Sequence, residues 1–437
     1  MTQEWISEFR GVNEDEWKAQ LLKELKGDES KLVVYNKIEE ISYSTFHYPS
    51  ENGLNSKTSA SLPVQRGFYK SHSQWRNGIQ ISAENEQEAN KTALNALMVG
   101  CDFIHFISTK NTNWNAVLNE IGLEYIHTTF TIKDNTDFSE LINVIGQDNL
   151  RFCSFNLTRE VINFNEINDL INVNQLPVIQ IDGFSFNQCG VNAIQELGFV
   201  TEKAHAALID LMNLGLTIDE AAACIHFRIG VGANYLIEIA KFRALKILWA
   251  NLVKAYNPQH NCSLNCQITA EVGWVNKSLK DPHTNLLRQT TEAMSAILGG
   301  IDRLILHPYD YCSVNGSSDL AKRMALNISN LLQDESYLAT VSDALGGSFA
   351  IEILTNELAE KGWNLFKKMD VINPESQNEE WKKLVKSKVL QRIEMLKSSE
   401  LTLIGINKFL NPEKIDNKWA EAKSFLGMSF LRLETEF

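Results

Sequence analysis

The chain has 437 residues, which suits two or three ordinary domains or one large α/β barrel with extensions. Hydrophobic residues make up 44% of it and charged residues 22%, as in soluble globular proteins. The formal net charge of −13 argues against nucleic-acid binding, which needs a basic face. The polar, acidic start lacks the basic segment and apolar core of a signal peptide, and no run approaches the roughly 18 apolar residues of a membrane span, so we expect a cytoplasmic protein.

The N-terminal region is predicted to be an arm ahead of the main domain. Asn13 and Glu16 stand in capping-box relation, and Trp17, Leu21 and Leu25 recur on one face, which predicts a helix over residues 13–26. The following residues, to about 75, are polar and irregular. Residues 1–75 are therefore predicted to form a helix and an extended arm.

Eight short apolar runs alternate with helical patterns over roughly the next 230 residues. The runs lie at residues 78–81, 101–107, 124–132, 150–157, 177–181, 224–229, 263–269 and 303–308. This alternation predicts a TIM (β/α)8 barrel over residues 76–365. A doubly wound open sheet is the alternative, and it is disfavoured because no glycine-rich phosphate loop follows the first strand. From about residue 319 the pattern is helical, and residues 366–437 are predicted to be a helical C-terminal extension.

Catalytic groups of such barrels sit where the strands end. The loop after the fifth predicted strand, residues 183–190 (GFSFNQCG), contains no His, Asp, Glu, Lys or Arg. His307 is the best acid–base candidate, although a structural role is more common for such a histidine. Arg228 could hold a carboxylate or phosphate, or form an ion pair within the barrel. The residues predicted to lie at the rim are Phe184, Ser185, Asn187, Gln188, Arg228, Asn265, Gln267, His307, Tyr309 and Asp310.

The common sequence signatures of nucleotide, hydrolase and metal sites are missing. There is no G-x-x-x-x-G-K-[ST], G-x-S-x-G, H-E-x-x-H or G-x-G-x-x-G. The seven cysteines include no C-x-x-C pair, and Cys262 and Cys266 with His260 make only a weak metal pattern. We therefore expect no metal site on this chain.

Four segments resemble the barrel domain of methylmalonyl-CoA mutases. They are GANYLIEIAKFRALKILWANLV, DPHTNLLRQTTEAMSAILGGID, SSDLAKRMALNISNLLQDES and DALGGSFAIEILTNELAEKGW. The resemblance runs from the arm to about residue 365. It implies a TIM barrel enclosing a CoA ester, followed in that family by a flavodoxin-like domain that carries adenosylcobalamin. The implied reaction interconverts succinyl-CoA and methylmalonyl-CoA through radicals, in homodimers or in heterodimers with a catalytically idle small subunit.

The chain departs from that family at the residues that line the reacting centre. Phe184 and Ser185 replace the Tyr and His of the family's GYHMQEAG motif. Cys224 replaces the Arg of RLSFF, and Asn265 replaces the His of HCQTSG, although Gln267 is retained. Residues 74–81 (QWRNGIQI) lack the Tyr of the family's RPWTIRQYAGF segment. The degenerate substrate pocket is therefore predicted to consist of Phe184, Ser185, Cys224, Asn265 and Gln267. No catalytic, cofactor-binding or metal-binding residue is expected on this chain.

The resemblance therefore implies a small, non-catalytic subunit. Its partner would be a large catalytic subunit that carries adenosylcobalamin, because 437 residues leave no room for a cobalamin domain and DPHTNLL has Leu286 where D-x-H-x-x-G has glycine. One alternative is an active acyl-CoA mutase barrel whose cobalamin domain is a separate chain. Another is a repurposed barrel, either a binding protein or a cobalamin-free enzyme. The arm is predicted to lie along the partner, or alternatively on its own barrel, because of its aromatic residues, Trp5, Phe9, Trp17, Phe46, Tyr48, Phe68 and Tyr69.

Overall fold

The structure is a computed structural model that describes residues 11–45, 74–108, 111–132, 135–157, 176–413, 415 and 417–437. Its centre is an eight-stranded parallel sheet in which every predicted apolar run contributes one strand. The strands are β1 (Arg76–Ser82), β2 (Phe103–Ile107), β3 (His127–Ile132), β4 (Cys153–Leu157), β5 (Ile179–Asp182), β6 (Ile225–Val231), β7 (Gln267–Val272) and β8 (Arg303–Leu306).

The sheet closes into a barrel. Its hydrogen-bonded order is β4-β3-β2-β1-β8-β7-β6-β5, so strands that follow each other in the chain also lie side by side. The two remaining edges meet where Phe155 N donates to Pro177 O at 2.7 Å and Leu157 N donates to Val178 O at 3.2 Å. The predicted TIM barrel is confirmed, and the open-sheet alternative is wrong.

Helices surround the barrel and continue beyond it. Several begin at side-chain caps, including the capping box of Asn13 with Glu16 that the sequence predicts and that of Thr217 with Glu220. The helices are α1 (Glu14–Glu24), α2 (Glu86–Leu97), α3 (Trp114–Val117), α4 (Asn135–Ile145), α5 (Gly183–Gln188), α6 (Ala193–Asn213), α7 (Ile218–Ala223), α8 (Tyr235–Lys254), α9 (Thr284–Leu298), α10 (Asp319–Asn330), α11 (Phe349–Asp370) and α12 (Pro374–Lys397).

The described part of the arm packs on its own chain. Residues Val33–Asn36 and Ile41–Ser44 form an antiparallel hairpin. At its tip, the Glu39 carboxylate accepts a hydrogen bond from Ala193 N at 2.8 Å, and Glu40 pairs with Lys388 of α12 at 2.6 Å. The tip of the hairpin therefore contacts its own chain, and the contact of the arm with a partner stays a prediction. Of the predicted aromatic residues of the arm, Trp5, Phe9, Phe46, Tyr48, Phe68 and Tyr69 lie outside the described residues.

The region after the barrel is helical as far as Lys397. Helix α11 lies against α6 at a glycine, since a Cβ on Gly198 would come within 2.9 Å of the Leu365 side chain. In this region Phe366 and Trp381 are buried, whereas Trp363 and Leu384 are only partly buried. The predicted division at 365/366 falls inside α11, so the structure marks no break there.

Beyond Lys397 the described chain is mostly irregular. It contains a short hairpin, Ser424–Phe425 with Met428–Ser429, and a 3₁₀ turn at Leu433–Glu436. We call residues 417–437 the tail. The tail crosses the carboxyl-terminal end of the barrel, which is the end where the residues predicted to form the rim were expected.

Candidate functional site

The residues predicted to line one pocket lie at two opposite ends of the barrel. Strand β5 ends at Asp182, so Phe184 and Ser185 in α5 follow its carboxyl end. Cys224 instead precedes β6, where its carbonyl accepts hydrogen bonds from Val178 N and Ile179 N at the start of β5. Asn265 precedes β7, and Gln267 is its first residue. The expectation that Asn265 and Gln267 lie at the rim is wrong, because β7 begins at Gln267 and ends at Val272.

Large polar side chains fill the amino-terminal end of the barrel interior. The Arg303 guanidinium donates hydrogen bonds to Gln267 Oε1 and, at 3.3 Å, to Thr269 Oγ1. It also lies 5.6 Å from the centre of the Phe103 ring. Burial raises the pKa of the nearby Cys224 thiol to about 12, so this thiol stays protonated near neutral pH. Gln267 is thus held by a buried arginine of the same chain.

Three buried histidines also lie in the barrel. His105 Nε2 is 2.8 Å from Thr131 Oγ1, and His226 Nε2 donates to the Phe155 carbonyl at 2.9 Å. Burial, reinforced by the charge of Arg228, lowers the pKa of His105 to about 3. Burial and the charge of Arg303 likewise lower the pKa of His226 to about 3. His127 is shifted in the same direction, so all three are neutral at physiological pH.

The carboxyl-terminal end holds a buried ionic cluster around Arg228. Its Nε donates to Glu271 Oε2 at 2.7 Å, and its Nη1 lies 3.4 Å from Asp182 Oδ1. His307 Nε2 lies 2.7 Å from the other Glu271 oxygen. Burial alone would raise the pKa of Glu271, but Arg228 and His307 hold it well below its usual range. Arg228 therefore forms the ion pair that was one of its two predicted roles.

Phe184 and Ser185 are both committed to this cluster. The Phe184 ring is 2% exposed and lies 4.3 Å from the Arg228 guanidinium carbon. It also packs edge-on against Trp274, with ring centres 5.8 Å apart. Ser185 Oγ donates to Asp182 Oδ2 at 2.6 Å, and its backbone N–H donates to Asp182 Oδ1 at 3.0 Å. Asp182 is thus the N-cap of α5, and Ser185 donates both hydrogen bonds to its carboxylate.

The other residues expected at the rim hold neighbouring loops and strands. Asn187 donates to Glu196 at 2.9 Å, and Gln188 Oε1 accepts from Trp274 N at 2.9 Å. Tyr309 packs its ring against His283, with ring centres 5.3 Å apart. Asp310 accepts a hydrogen bond from Ser318 N at 3.1 Å. Each of these four residues therefore contacts another part of the same chain.

The tail lies over this end of the barrel. The Lys423 ammonium is 5.9 Å from the centre of the Trp274 ring and 5.8 Å from that of Tyr311. The Phe430 ring also packs against Trp274 at 5.8 Å. Leu431 N donates to Gln188 O and Leu433 N donates to Val275 O, at 2.8 and 3.0 Å. These contacts place the tail between the Arg228 cluster and solvent.

A cavity of about 430 Å³ lies beside the covered mouth, at the carboxyl ends of β6 and β7. Its polar lining combines carboxylates, amides and one guanidinium. Burial raises the pKa of the Glu39 carboxylate there, although the nearby Arg392 opposes the shift. The polar lining includes Asn36, Glu39, Asn187, Gln188, Asn234, Tyr235, Glu238, Asn276 and Arg392.

Two further properties concern only the residues that the structure describes. Within those ranges, no group of three or more His, Cys, Asp or Glu side chains could hold a metal ion. None of the helices there is both long and apolar enough to cross a bilayer.

Asp182 and Glu271, which pair with Arg228, were missed from the sequence. Glu271 lies on the same face of β7 as Gln267 and Thr269, because alternate residues of a strand share a face. This alternation was the sequence pattern that could have identified Glu271. The tail's position over the mouth had no comparable signal. The pocket assignment of Phe184, Ser185, Cys224, Asn265 and Gln267 stays a prediction.

This fold and site define a TIM-barrel protein whose barrel interior is filled with polar side chains. The profile of the family described as methylmalonyl-CoA mutase matches residues 143–425. The chain belongs to the methylmalonyl-CoA mutase family.

Similar proteins of this family include two that are named small subunits. The chain is 30% identical to the methylmalonyl-CoA mutase small subunit of Porphyromonas gingivalis, an alignment that covers 93% of this chain and 71% of that protein. It is 33% identical to the small subunit of Streptomyces virginiae over 45% of this chain and 31% of that one. It is 30% identical to the methylmalonyl-CoA mutase of Rhizobium meliloti over 54% of this chain and 34% of that one. The last two alignments span only about a third of the relatives' length.

Proposed function

We propose that this chain is the small, non-catalytic subunit of a heterodimeric, adenosylcobalamin-dependent methylmalonyl-CoA mutase. The complex would interconvert succinyl-CoA and methylmalonyl-CoA, in the cytoplasm. The observation that carries the proposal is the Arg228 cluster. The guanidinium at the carboxyl end of the barrel is paired with Glu271 and Asp182 and stacked on Phe184, so its charge is already compensated within the chain.

The two positions after β5 support this proposal. Phe184 has no hydroxyl to offer a substrate, and its ring is buried under Arg228. Ser185 directs its hydroxyl at Asp182 at 2.6 Å. The family's Tyr and His at these positions would supply a phenol and an imidazole instead. The chain thus offers neither group at this place.

The filled interior is a second line of support. A CoA ester passing along the barrel axis would have to displace Arg303, His226 and Phe103, all of which are buried. Displacing Arg303 would also break its bonds to Gln267 and Thr269. Leaving buried polar groups unpaired costs roughly 1–3 kcal/mol each, and more for a charged group. We infer that the substrate lies in the barrel of the partner subunit.

We assign the cofactor to the partner for a related reason. The described mouth does not fit adenosylcobalamin, because tail residues Lys423 and Phe430 pack on Trp274 there. His283, the histidine of the partial D-x-H pattern, packs against Tyr309 beside the N-terminus of α9.

The arm offers a surface to the partner. Helix α1 has no buried residue, and the outer hairpin strand exposes Val33, Val34 and Tyr35. Exposed apolar side chains that cluster in this way mark protein interfaces. We propose that the large catalytic subunit covers this face, while the hairpin tip at Glu39 anchors the arm to its own chain.

The first test is reconstitution with a large subunit. The purified chain with added adenosylcobalamin is expected to convert no succinyl-CoA, because neither end of its barrel offers the family's reactive side chains. Co-expression with a methylmalonyl-CoA mutase large subunit should give a stable one-to-one complex that converts succinyl-CoA, measured by chromatography of the CoA esters. Turnover by the chain together with only a separate cobalamin-domain protein would refute the proposal and support the alternative of an active acyl-CoA mutase barrel.

The second test restores the family's two residues after β5. The double variant Phe184→Tyr with Ser185→His is expected to remain inactive as an isolated chain. The new imidazole would face Asp182, and the tail and the filled interior would still exclude the substrate. Groups that act as one catalytic unit are strongly non-additive, so two of them do not restore part of the rate. Measurable conversion of succinyl-CoA by a folded double variant, checked by circular dichroism, would show that the pocket is still usable.

A further inference from the structure

The carboxylate of Glu434, in the tail, occupies a set of four donors. Its Oε1 accepts from Ser278 Oγ at 2.5 Å and from Lys280 N at 2.9 Å. Its Oε2 accepts from Leu279 N at 3.1 Å and from Trp419 Nε1 at 2.7 Å. The residue is only 3% exposed. Three of the four donors belong to the loop after β7, and the fourth belongs to the tail itself.

The loop that supplies three donors is held in shape without the tail. Asn285, at the start of α9, accepts a hydrogen bond from Ser278 N at 3.0 Å and donates to Ser278 O at 2.7 Å. The same amide donates to Tyr309 O at 3.0 Å, which ties the loop after β7 to the loop after β8. The Ser278 hydroxyl also accepts from Asp281 N at 3.0 Å. The donors are therefore preorganised before Glu434 arrives.

The location and chemistry of these donors are those of an anion site. Successive backbone N–H groups that point at one place form a concavity that binds anions. In TIM barrels, the loops after strands 7 and 8 often form a phosphate-binding site. Here the loop after β7 presents two backbone N–H groups and a hydroxyl, and the group found among them is a carboxylate. Charge-assisted hydrogen bonds from such donors to a carboxylate are stronger than hydrogen bonds between neutral groups.

We propose that Ser278, Leu279 and Lys280 form an anion-binding site that the chain's own Glu434 fills, and that this contact latches the tail over the barrel mouth. The contact joins the tail to the barrel beside Leu433 N, which donates to Val275 O. A free carboxylate competes poorly in the wild-type protein, because a tethered group has a high effective concentration. Once the Glu434 side chain is removed, the same site takes a small carboxylate from solution.

The test is chemical rescue of Glu434→Ala, followed by hydrogen exchange in the tail. The readout is exchange of the Leu431 and Leu433 amides, which donate to Gln188 O and Val275 O. The variant should exchange these amides about tenfold faster than the wild type, because buried donors lose their charged acceptor. Sodium acetate should then slow this exchange relative to sodium chloride at equal ionic strength, and the same salts should leave the wild type unchanged.

Two control variants separate an anion site from a merely loosened tail. Leu433→Ala removes an apolar contact of the tail and leaves Glu434 in place, so it should exchange faster without any response to acetate. Glu436→Ala lies in the same 3₁₀ turn, outside the four-donor site, and should behave as wild type. If Glu434→Ala proves insoluble, Glu434→Gln keeps the side-chain volume, and it should loosen the tail without acetate rescue because its amide fills the site.

Each outcome supports or overturns one part of the proposal. Acetate rescue confined to Glu434→Ala supports the anion site. Unchanged exchange in Glu434→Ala would overturn the latch. Equal responses of Glu434→Ala and Leu433→Ala to acetate, or no response from either, would overturn the anion site.

Discussion

Replacing Lys241 with methionine is expected to lower the free energy of unfolding by about 3–5 kcal/mol, since it leaves buried carboxylates without their cation. The Lys241 ammonium lies 2.8 Å from Glu196 and 2.7 Å from Glu238, and it donates to Gly230 O at 2.8 Å. Burial alone would lower the pKa of Lys241, but the two carboxylates raise it above its usual value. Urea denaturation at neutral pH, followed by circular dichroism, measures the loss.

The double variant Lys241→Met with Glu196→Gln tests the reason for this loss. It removes one of the two charges that the single variant leaves unpaired, so it should be more stable than Lys241→Met alone. Lys322→Met is the matched control, because Lys322 forms an exposed pair with Asp319 and its loss should change stability by only about 0.5 kcal/mol. A Lys241→Met protein as stable as the wild type would contradict a stabilising role for this network.

Apolar runs in the sequence were sufficient to find every barrel strand, because alternate strand residues, such as Ile225, Phe227 and Ile229 of β6, are apolar and buried even where the residues between them are polar. They did not place the strand ends. The run at residues 263–269 includes Leu264, which lies in a 3₁₀ turn before β7, whereas the strand itself continues to Val272 through Glu271. A glutamate normally indicates solvent, so the apolar run ended too early and Asn265 was placed at the wrong end of the barrel.

The chemistry of the site depends on pairs that are distant in the chain. Glu271 is buried because Arg228, on the neighbouring strand, neutralises it. Either residue alone is also compatible with a solvent-exposed position or a ligand contact, and only the register of β6 with β7 makes them partners. The tail was harder still to predict. Its attachment uses backbone carbonyl groups such as Gln188 O and Val275 O. Every residue has a carbonyl group, so the residue types in the sequence do not reveal such a contact.

The protein is expected to lose several kcal/mol of stability between pH 7 and pH 5, and the buried histidines are the cause. His105 and His226 have pKa values of about 3 in the fold, with burial as the main reason, whereas histidine in an unfolded chain titrates near 6.5. Between these two values the unfolded state binds protons that the folded state does not bind. Stability is therefore fully present above about pH 6.5 and falls as the pH is lowered toward 3.

The size of the stability loss depends on the width of the pH range between the folded and unfolded pKa values of these histidines. One pH unit inside it costs about 1.4 kcal/mol per histidine, so each of these two residues accounts for about 2 kcal/mol at pH 5. His127 adds to the loss in the same direction. Buried carboxylates with raised pKa values, among them Glu39 and Glu292, oppose it at acidic pH. The comparison must therefore be made between variants that share those carboxylates.

The double variant His105→Gln with His226→Gln provides that comparison. Glutamine keeps a donor for Thr131 and for the Phe155 carbonyl but cannot gain a proton in this pH range. The difference in unfolding free energy between pH 7 and pH 5, measured by urea denaturation, should be smaller than in the wild type by about 4 kcal/mol. His283→Gln removes an exposed histidine and should leave that difference unchanged. If the double variant kept the full pH dependence of the wild type, the interior histidines would not be its source, and the neutral state assigned to them in the fold would be wrong.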